Sequence, residues 1–466
     1  MNGQYSDKSG FMHICRKKIS EGGQGAVYRT NTPNVVIKLA QEDHKVIMDE
    51  KLNQQYNDIR LLPIPEGLHI TLPLETLQGV SGYVMTLLDD MNCFEDVFLE
   101  AAAPEGFTTP WLTEMAESAE GEDVLTVLDM LRQYIATGGR RRRLEAFFKC
   151  ACILAQLHGA GLIYCDISGK NLFISTNAEF SEVWLIDADN LAWEAERSAD
   201  PGFITPGFGA PELVSGKGGN SCYSDCYSFA IALFWILYGT HPFDGQGAFD
   251  EDGDYCEEWR NSGDLPWIFD EKDTSNALEA ENLPYSNFVS TRLNALFTRM
   301  FSEGRYDPKK RPLMPEWAYA LGAELDHTVR CHHCGMDFDG LEFDQCPWCD
   351  SALPVLKTRS FIDEAKHVLF WESLHEMDDG APVIVPLRLV NGVQTADTDE
   401  ILFRVRRADD TKGRLKLDSF HNGWRFADAE KGTALFGEAL VPDKFCIVCE
   451  NNDRRFWIEV YLHETA

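Results

Sequence analysis

The chain has 466 residues, 44% hydrophobic and 25% charged, which at roughly 150 residues per domain is about three folded domains and excludes a mostly disordered chain. Asp plus Glu number 75 against 42 Lys plus Arg, a net charge of −33. Such a field repels phosphate backbones and anionic lipid, so nucleic acid is a poor first guess for a partner, a locally basic groove aside, and no membrane partner is expected.

Residues 1 to 15 lack the basic-then-apolar order of a secretory leader. The longest apolar run, near Phe229 to Tyr238, is about ten residues, too short to cross a bilayer. A cytoplasmic location is expected, where paired cysteines read as metal ligands before disulfides.

In chain order, residues 1–100 read as short strands with one helix. Residues 101–140 read as acidic and loop-like, and the run Arg140 to Arg143 reads as solvating a helix start. Residues 141–326 mix helices with short strands. A Cys/His cluster covers 331–349, and from about 382 to 464 the pattern alternates like half-buried strands. Examples begin at Val383, Ile401, Arg414, Phe445 and Phe456.

The segment Ile19 to Tyr28 holds Gly22 and Gly25, which let backbone amides approach phosphate oxygens. Taken alone this is a weak signal. Thirteen residues past Gly25, a β-branched run ends in Lys38, placed as a lysine that holds α/β-phosphates would be. Further on, Asp166 and Asn171 stand in Asp-x4-Asn spacing, followed by a strand pattern and Asp187 with Asp189. Phosphoryl transfer needs that set: a carboxylate to orient the attacking hydroxyl, and Asn and Asp for Mg²⁺. Ala210-Pro-Glu212, Ser224-Asp225 and Asp307 to Arg311 follow in order.

With these motifs in this order, residues 10–326 resemble a eukaryotic-like (Hanks-type) protein kinase. The resemblance implies ATP and Mg²⁺, with Ser20, Gly22, Gly25, Val27 and Val36 around the nucleotide. It implies Lys38 on the phosphates, Asp166 as the catalytic-loop Asp, and Asn171 and Asp187 on Mg²⁺. Lys170 would neutralise transferring charge. Met85 would be the gatekeeper, and the backbone of Thr86 and Leu88 would bond adenine. Glu50 is the best acidic partner for Lys38, with Asp49 as the alternative. Glu212 and Arg311 match a buried ion pair, and Asp225 the Asp that holds the catalytic loop. Thr205, before Pro-Gly-Phe-Gly-Ala-Pro-Glu, matches the residue that contacts the catalytic Asp in Ser/Thr kinases, and outweighs Lys170, which sits where tyrosine kinases often place Arg.

The departures are specific. Ser20 replaces the first loop glycine and Gln24 the loop-tip aromatic. Tyr164-Cys165 replaces His-Arg, so loop phosphorylation is a weaker switch. Ser198 is therefore expected to matter little, with basal activity set by the acidic insert or by the C-terminal regions. Asp187-Ala188-Asp189 replaces Asp-Phe-Gly, and Asp189 reads as capping a turn rather than reaching metal. These features look most like a divergent bacterial group of Ser/Thr kinases. That group is often encoded beside a von Willebrand A-domain protein and a metal-dependent protein phosphatase, which the resemblance implies as partners.

Cys331 and Cys334, then Cys346 and Cys349, are Cys-x2-Cys knuckles separated by eleven residues. Four thiolates at this spacing fit the closed tetrahedral Zn²⁺ site of a zinc ribbon. His332 and His333 read as exposed. Asp337, Asp339, Glu342 and Asp344 make an acidic tip that would repel nucleic acid. Cys446 and Cys449 read as core, since no second pair accompanies them.

The expected fold is α+β. The kinase N-lobe and hinge occupy 1–90, an acidic insert 91–140, and the C-lobe 141–326. A zinc ribbon follows at 327–355 and a small all-β, sandwich-like domain at 356–466. The expected function is a protein Ser/Thr kinase acting on protein substrates in bacterial signalling, with autophosphorylation. The rival reading is a pseudokinase scaffold that binds nucleotide and recruits partners through the ribbon and β-domain.

Overall fold

The computed structural model describes residues 3–22, 25–118, 122–197, 204–250, 252–278, 287–377, 381–393, 400–408 and 414–463. The chain divides into two compact units. The first takes Met1–Glu100, Ile153–Leu278 and Arg299–Met314, and the second takes Ala101–Cys152, Glu279–Thr298 and Pro315–Ala466.

The first unit opens with a seven-stranded sheet, antiparallel throughout. Its centre is Val35–Glu42, paired on one side with Gly25–Thr30 and on the other with Gly82–Thr86. The β-branched run suits a pleated, buried surface, and Val36, Ile37 and Leu39 are buried. A side chain on Gly25 would place its Cβ 2.3 Å from the Leu39 carbonyl oxygen, so only glycine lets the strands approach there. The helix Glu50–Arg60 starts at Asp49, whose carboxylate accepts from the Lys51 and Leu52 amides. The apolar run near Phe229 lies in the helix Cys222–Tyr238, capped by a Ser221/Ser224 box and ended by Gly239 at φ 71°. It is buried nearly all round, as a core helix should be. No helix among the described residues is long and apolar enough to cross a membrane.

In the second unit two sequence expectations fail. Residues 101–109 are irregular as expected, but the rest of the insert is not loop-like: Pro110–Ser118 and Glu122–Ala136 are helices. The signal was present, since Leu128, Leu131 and Tyr134 fall at helical spacing and are buried. The Arg140 to Arg143 run does not solvate a helix start either. It begins the helix Gly139–Gly159, and Arg140, Arg142 and Arg143 are buried.

The partners explain that burial. Arg140 pairs with Glu324, donates to the Thr328 hydroxyl, and donates to the Phe288 carbonyl at 3.0 Å. The Arg141 amide donates to Asp337 at 2.9 Å, and its guanidinium reaches Glu376 at 2.9 Å. Arg143 sits over the Tyr134 ring at 4.1 Å and donates to the Gly139 carbonyl at 3.0 Å. Buried guanidinium groups are tolerable only when so matched.

Asp337 and Asp339 belong to the hairpin Thr328–Arg330 with Asp337–Asp339. Both are buried, and Arg330 holds Asp337 at 2.8 Å. The expected acidic tip is thus half consumed inside the unit. Beyond it lie a six-stranded and a four-stranded sheet. Leu356, Val385, Leu402, Phe403, Val405, Leu415, Ile447, Ile458 and Val460, from strands of both sheets, share one apolar core. The strands Val383–Pro386, Ile401–Arg407, Arg414–Asp418, Lys444–Glu450 and Arg455–His463 match the sequence pattern. Val355–Phe361 and Leu369–Glu376 are additional.

Candidate active site

The sheet register sets Lys38 opposite Val27 and Tyr83. Its ammonium lies 2.9 Å from Asp187 Oδ1 and 2.7 Å from Asp189 Oδ2. Burial works against the charge, but the Asp189 and Asp187 carboxylates outweigh it and hold the Lys38 pKa above its ordinary value.

Glu50 is not the partner. It is exposed in the first turn of its helix, whose buried residues are Asn53, Tyr56 and Ile59. Asp49 is occupied as the cap. Asp189, read from sequence as a turn cap, is buried in a short 3-10 turn and pairs with Lys38. The Tyr83 hydroxyl donates to Asp189 Oδ1, and Gln55 Nε2 donates to the Asp189 carbonyl at 2.6 Å. Tyr83 and Gln55 escaped the sequence reading because their roles depend on Asp189.

The catalytic-loop motif follows the strand Leu162–Ile163. Asp225 accepts from the Tyr164 amide at 2.8 Å, the Cys165 amide at 2.9 Å and His158 Nε2 at 3.0 Å. This holds Cys165 at φ 72°, a costly conformation for a residue with a side chain. The Tyr164 hydroxyl donates to the Ile186 carbonyl, just before Asp187. Asp166 Oδ1 accepts from the Thr205 hydroxyl at 2.5 Å, and Asn171 Nδ2 donates to the Asp166 carbonyl at 2.8 Å. Burial pushes the Asp166 pKa up, opposed by the Thr205 and Asn171 hydrogen bonds. The Ile186 amide donates to the Asn171 carbonyl at 3.0 Å, which sets the Asn171 and Asp187 segments side by side. Asp187 itself takes the left-handed conformation, φ 57°. An amide and a half-exposed carboxylate so placed fit a hard cation such as Mg²⁺. Lys170 is 68% exposed and lies 3.7 Å from Glu95.

Ser20 pairs with Val27 and Gly22 with Gly25 in the hairpin; residues 23 and 24, including Gln24, lie outside the described residues. Ser20 and Gly22 are exposed. Val36 is buried opposite Met85; Thr86 ends the strand Gly82–Thr86, and Leu88 lies two residues beyond it. Glu212 and Arg311 form a two-pronged pair at 2.7 and 2.6 Å. Ser198 lies outside the described residues.

In the second unit, the sulfur atoms of Cys331, Cys334, Cys346 and Cys349 lie within 4.8 Å of one another. Four convergent thiols fit tetrahedral Zn²⁺. His332 and His333 are exposed, and Cys449 is buried in the β-core.

A protein-family model described as protein kinase domain matches residues 113–318. The chain is similar to the serine/threonine-protein kinase dkf-2 of Caenorhabditis briggsae, 28% identical over 163 residues, 33% of this chain and 13% of that protein. It is similar to the serine/threonine-protein kinase pkn2 of Myxococcus xanthus, 34% identical over 98 residues, 20% of this chain and 12% of that protein. Human protein kinase C delta type is 28% identical over 189 residues, 38% of this chain and 26% of that protein. The chain thus spans only a small part of these relatives. The matched family region, the relatives and the geometry support a protein kinase domain within the chain.

Proposed function

We propose that the chain is an active protein Ser/Thr kinase that transfers the γ-phosphate of ATP to Ser or Thr hydroxyls. The observation that carries this reading is Asp166, half-buried, hydrogen-bonded by Thr205 and joined through Asn171 to the Asp187 segment. Asp166 would orient the substrate hydroxyl, Asn171 and Asp187 would hold Mg²⁺, and Lys38 would hold the phosphates. Ser20, Gly22, Gly25, Val27 and Val36 would cover the nucleotide. Met85 would stand behind the adenine, which the backbone of Thr86 and Leu88 would bond. Lys170 would have to swing from Glu95 to meet the transferring phosphate. The four-cysteine cluster would bind structural Zn²⁺.

The proposed setting is cytoplasmic bacterial signalling with autophosphorylation. Proposed partners are protein substrates, a von Willebrand A-domain protein and a metal-dependent protein phosphatase; nucleic acid and membrane are not proposed. Incubation with γ-labelled ATP and Mg²⁺ tests the activity. Label on Ser or Thr that disappears in Asp166→Asn supports it. Equal label in both proteins, or label on tyrosine alone, overturns it.

A further inference from the structure

We propose that Asp189 positions Lys38 for the phosphates of the nucleotide, in place of an acidic residue on the helix Glu50–Arg60. The inference rests on the kinase reading and names a positioning residue within it. Three observations support it.

Asp189 is fully engaged. One carboxylate oxygen lies 2.7 Å from the Lys38 ammonium, the other accepts from the Tyr83 hydroxyl, and the backbone carbonyl accepts from Gln55 at 2.6 Å. Its neighbour in the pairing differs. The Asp187 side chain is 36% exposed and that of Asp189 6%. A cation that draws Asp187 away from Lys38 leaves Asp189 as the anchor. Finally, the helix offers no substitute: its buried residues are Asn53, Tyr56 and Ile59, and Glu50 is exposed. What the helix supplies is Gln55, which grips Asp189 by its backbone, and Tyr56, whose ring packs edge-on to Tyr83 at 4.8 Å. The lysine's partner is thus carried on the turn Ala188–Asn190, directly after Asp187. Any movement of that turn moves the metal-side carboxylate and the lysine's anchor together.

Equilibrium binding of ATP with Mg²⁺, and of adenosine, to the full chain tests the assignment, because adenosine has no phosphate for Lys38 to hold. Asp189→Asn should weaken ATP at least about tenfold and leave adenosine within about twofold. In a Lys38→Ala background the same substitution should add nothing, since the two residues then act as one unit. The assignment is overturned if Asp189→Asn leaves ATP binding unchanged, weakens adenosine equally, or keeps its full effect without Lys38. Should Asp189→Asn fail to fold, Tyr83→Phe removes only the hydroxyl. It should weaken ATP about threefold and spare adenosine, and an unchanged ATP affinity overturns the assignment. Failure of the kinase reading looks different: the unsubstituted chain would then bind no ATP or transfer no label.

Discussion

Each unit buries a cluster of charge, and the two clusters are built on opposite terms. In the first, the carboxylates of Asp187 and Asp189 both pair with the ammonium of Lys38, and the half-buried Asp166 carboxylate accepts from the neutral Thr205 hydroxyl, so negative charge is in excess among these residues. In the second, guanidinium and carboxylate groups alternate nearly one for one: Arg140 with Glu324 and Asp339, Arg388 with Asp326, and Arg330 with Asp337. A balanced cluster is a fastening. An unbalanced one holds charge that a substrate's cation can use, at some cost to stability.

The sharpest way to break that contrast is Asp166→Asn. It should lower phosphotransfer by about a thousandfold or more, roughly 4 kcal/mol. Because burial raises this carboxyl's pKa, it favours the protonated form in the fold, so the charge contributes no stability at neutral pH. The thermal midpoint should therefore stay or rise; a fall of several degrees would place Asp166 among the fastenings.

Glu324→Ala tests the other side. It leaves the buried Arg140 guanidinium only the more distant Asp339 carboxylate, at 3.9 Å, and should cost about 3–5 kcal/mol in a denaturant titration. Arg140→Met with Glu324→Leu should recover most of that loss. If Glu324→Ala costs less than about 1 kcal/mol, the second cluster is not a fastening.

The zinc prediction follows. Elemental analysis should find about one Zn²⁺ per chain, released by Cys334→Ser with Cys349→Ser. Asp337 and Asp339 lie between the knuckles and hold Arg141 and Arg140. Metal loss should therefore also reduce amide-exchange protection at the start of the helix Gly139–Gly159. Loosening confined to residues 331–349 would separate the ribbon from the charge network.

The smallest effect is in pH. His241 is buried in the first unit, hydrogen-bonded to the Gly207 carbonyl at 2.8 Å, and burial pushes its pKa down to about 3. The unfolded chain takes up this proton near pH 6.5 and the folded chain does not. Stability is complete above that pH and falls as the pH drops towards 3, by up to about 1.4 kcal/mol per pH unit. Between pH 6.5 and about 5, His241→Asn should remove that share of the slope. An unchanged slope would assign acid sensitivity to other groups.

What the sequence made legible was local. The Gly-loop with Lys38, the Asp166–Asn171 spacing, the paired cysteines and the alternating strands after 382 are patterns within short windows. Two errors were about partners far along the chain. Lys38 meets Asp187 and Asp189 across 149 and 151 positions, and Arg140 meets Glu324 across 184. A window cannot show that a run of arginines has its carboxylates waiting elsewhere, so it read as surface. Nor can it show that a third motif position, ordinarily glycine, has taken over a helix residue's charge. The helices at 110–118 and 122–136 were legible by spacing, but the acidic composition hid them.

The same fastening bears on modularity. Asp326 accepts from the Trp371 indole at 2.7 Å and from Arg388 at 3.1 Å, and the Arg388 guanidinium lies over the Phe148 ring at 5.5 Å. A gene boundary drawn at residue 326 looks like a seam between beads, but it runs through a shared interior. Exchange of the C-terminal segment between relatives would succeed only where the helices Gly139–Gly159 and Met314–His327 travel with it. On such a lineage, recombination would copy these helices and the C-terminal sheets as a single heritable block.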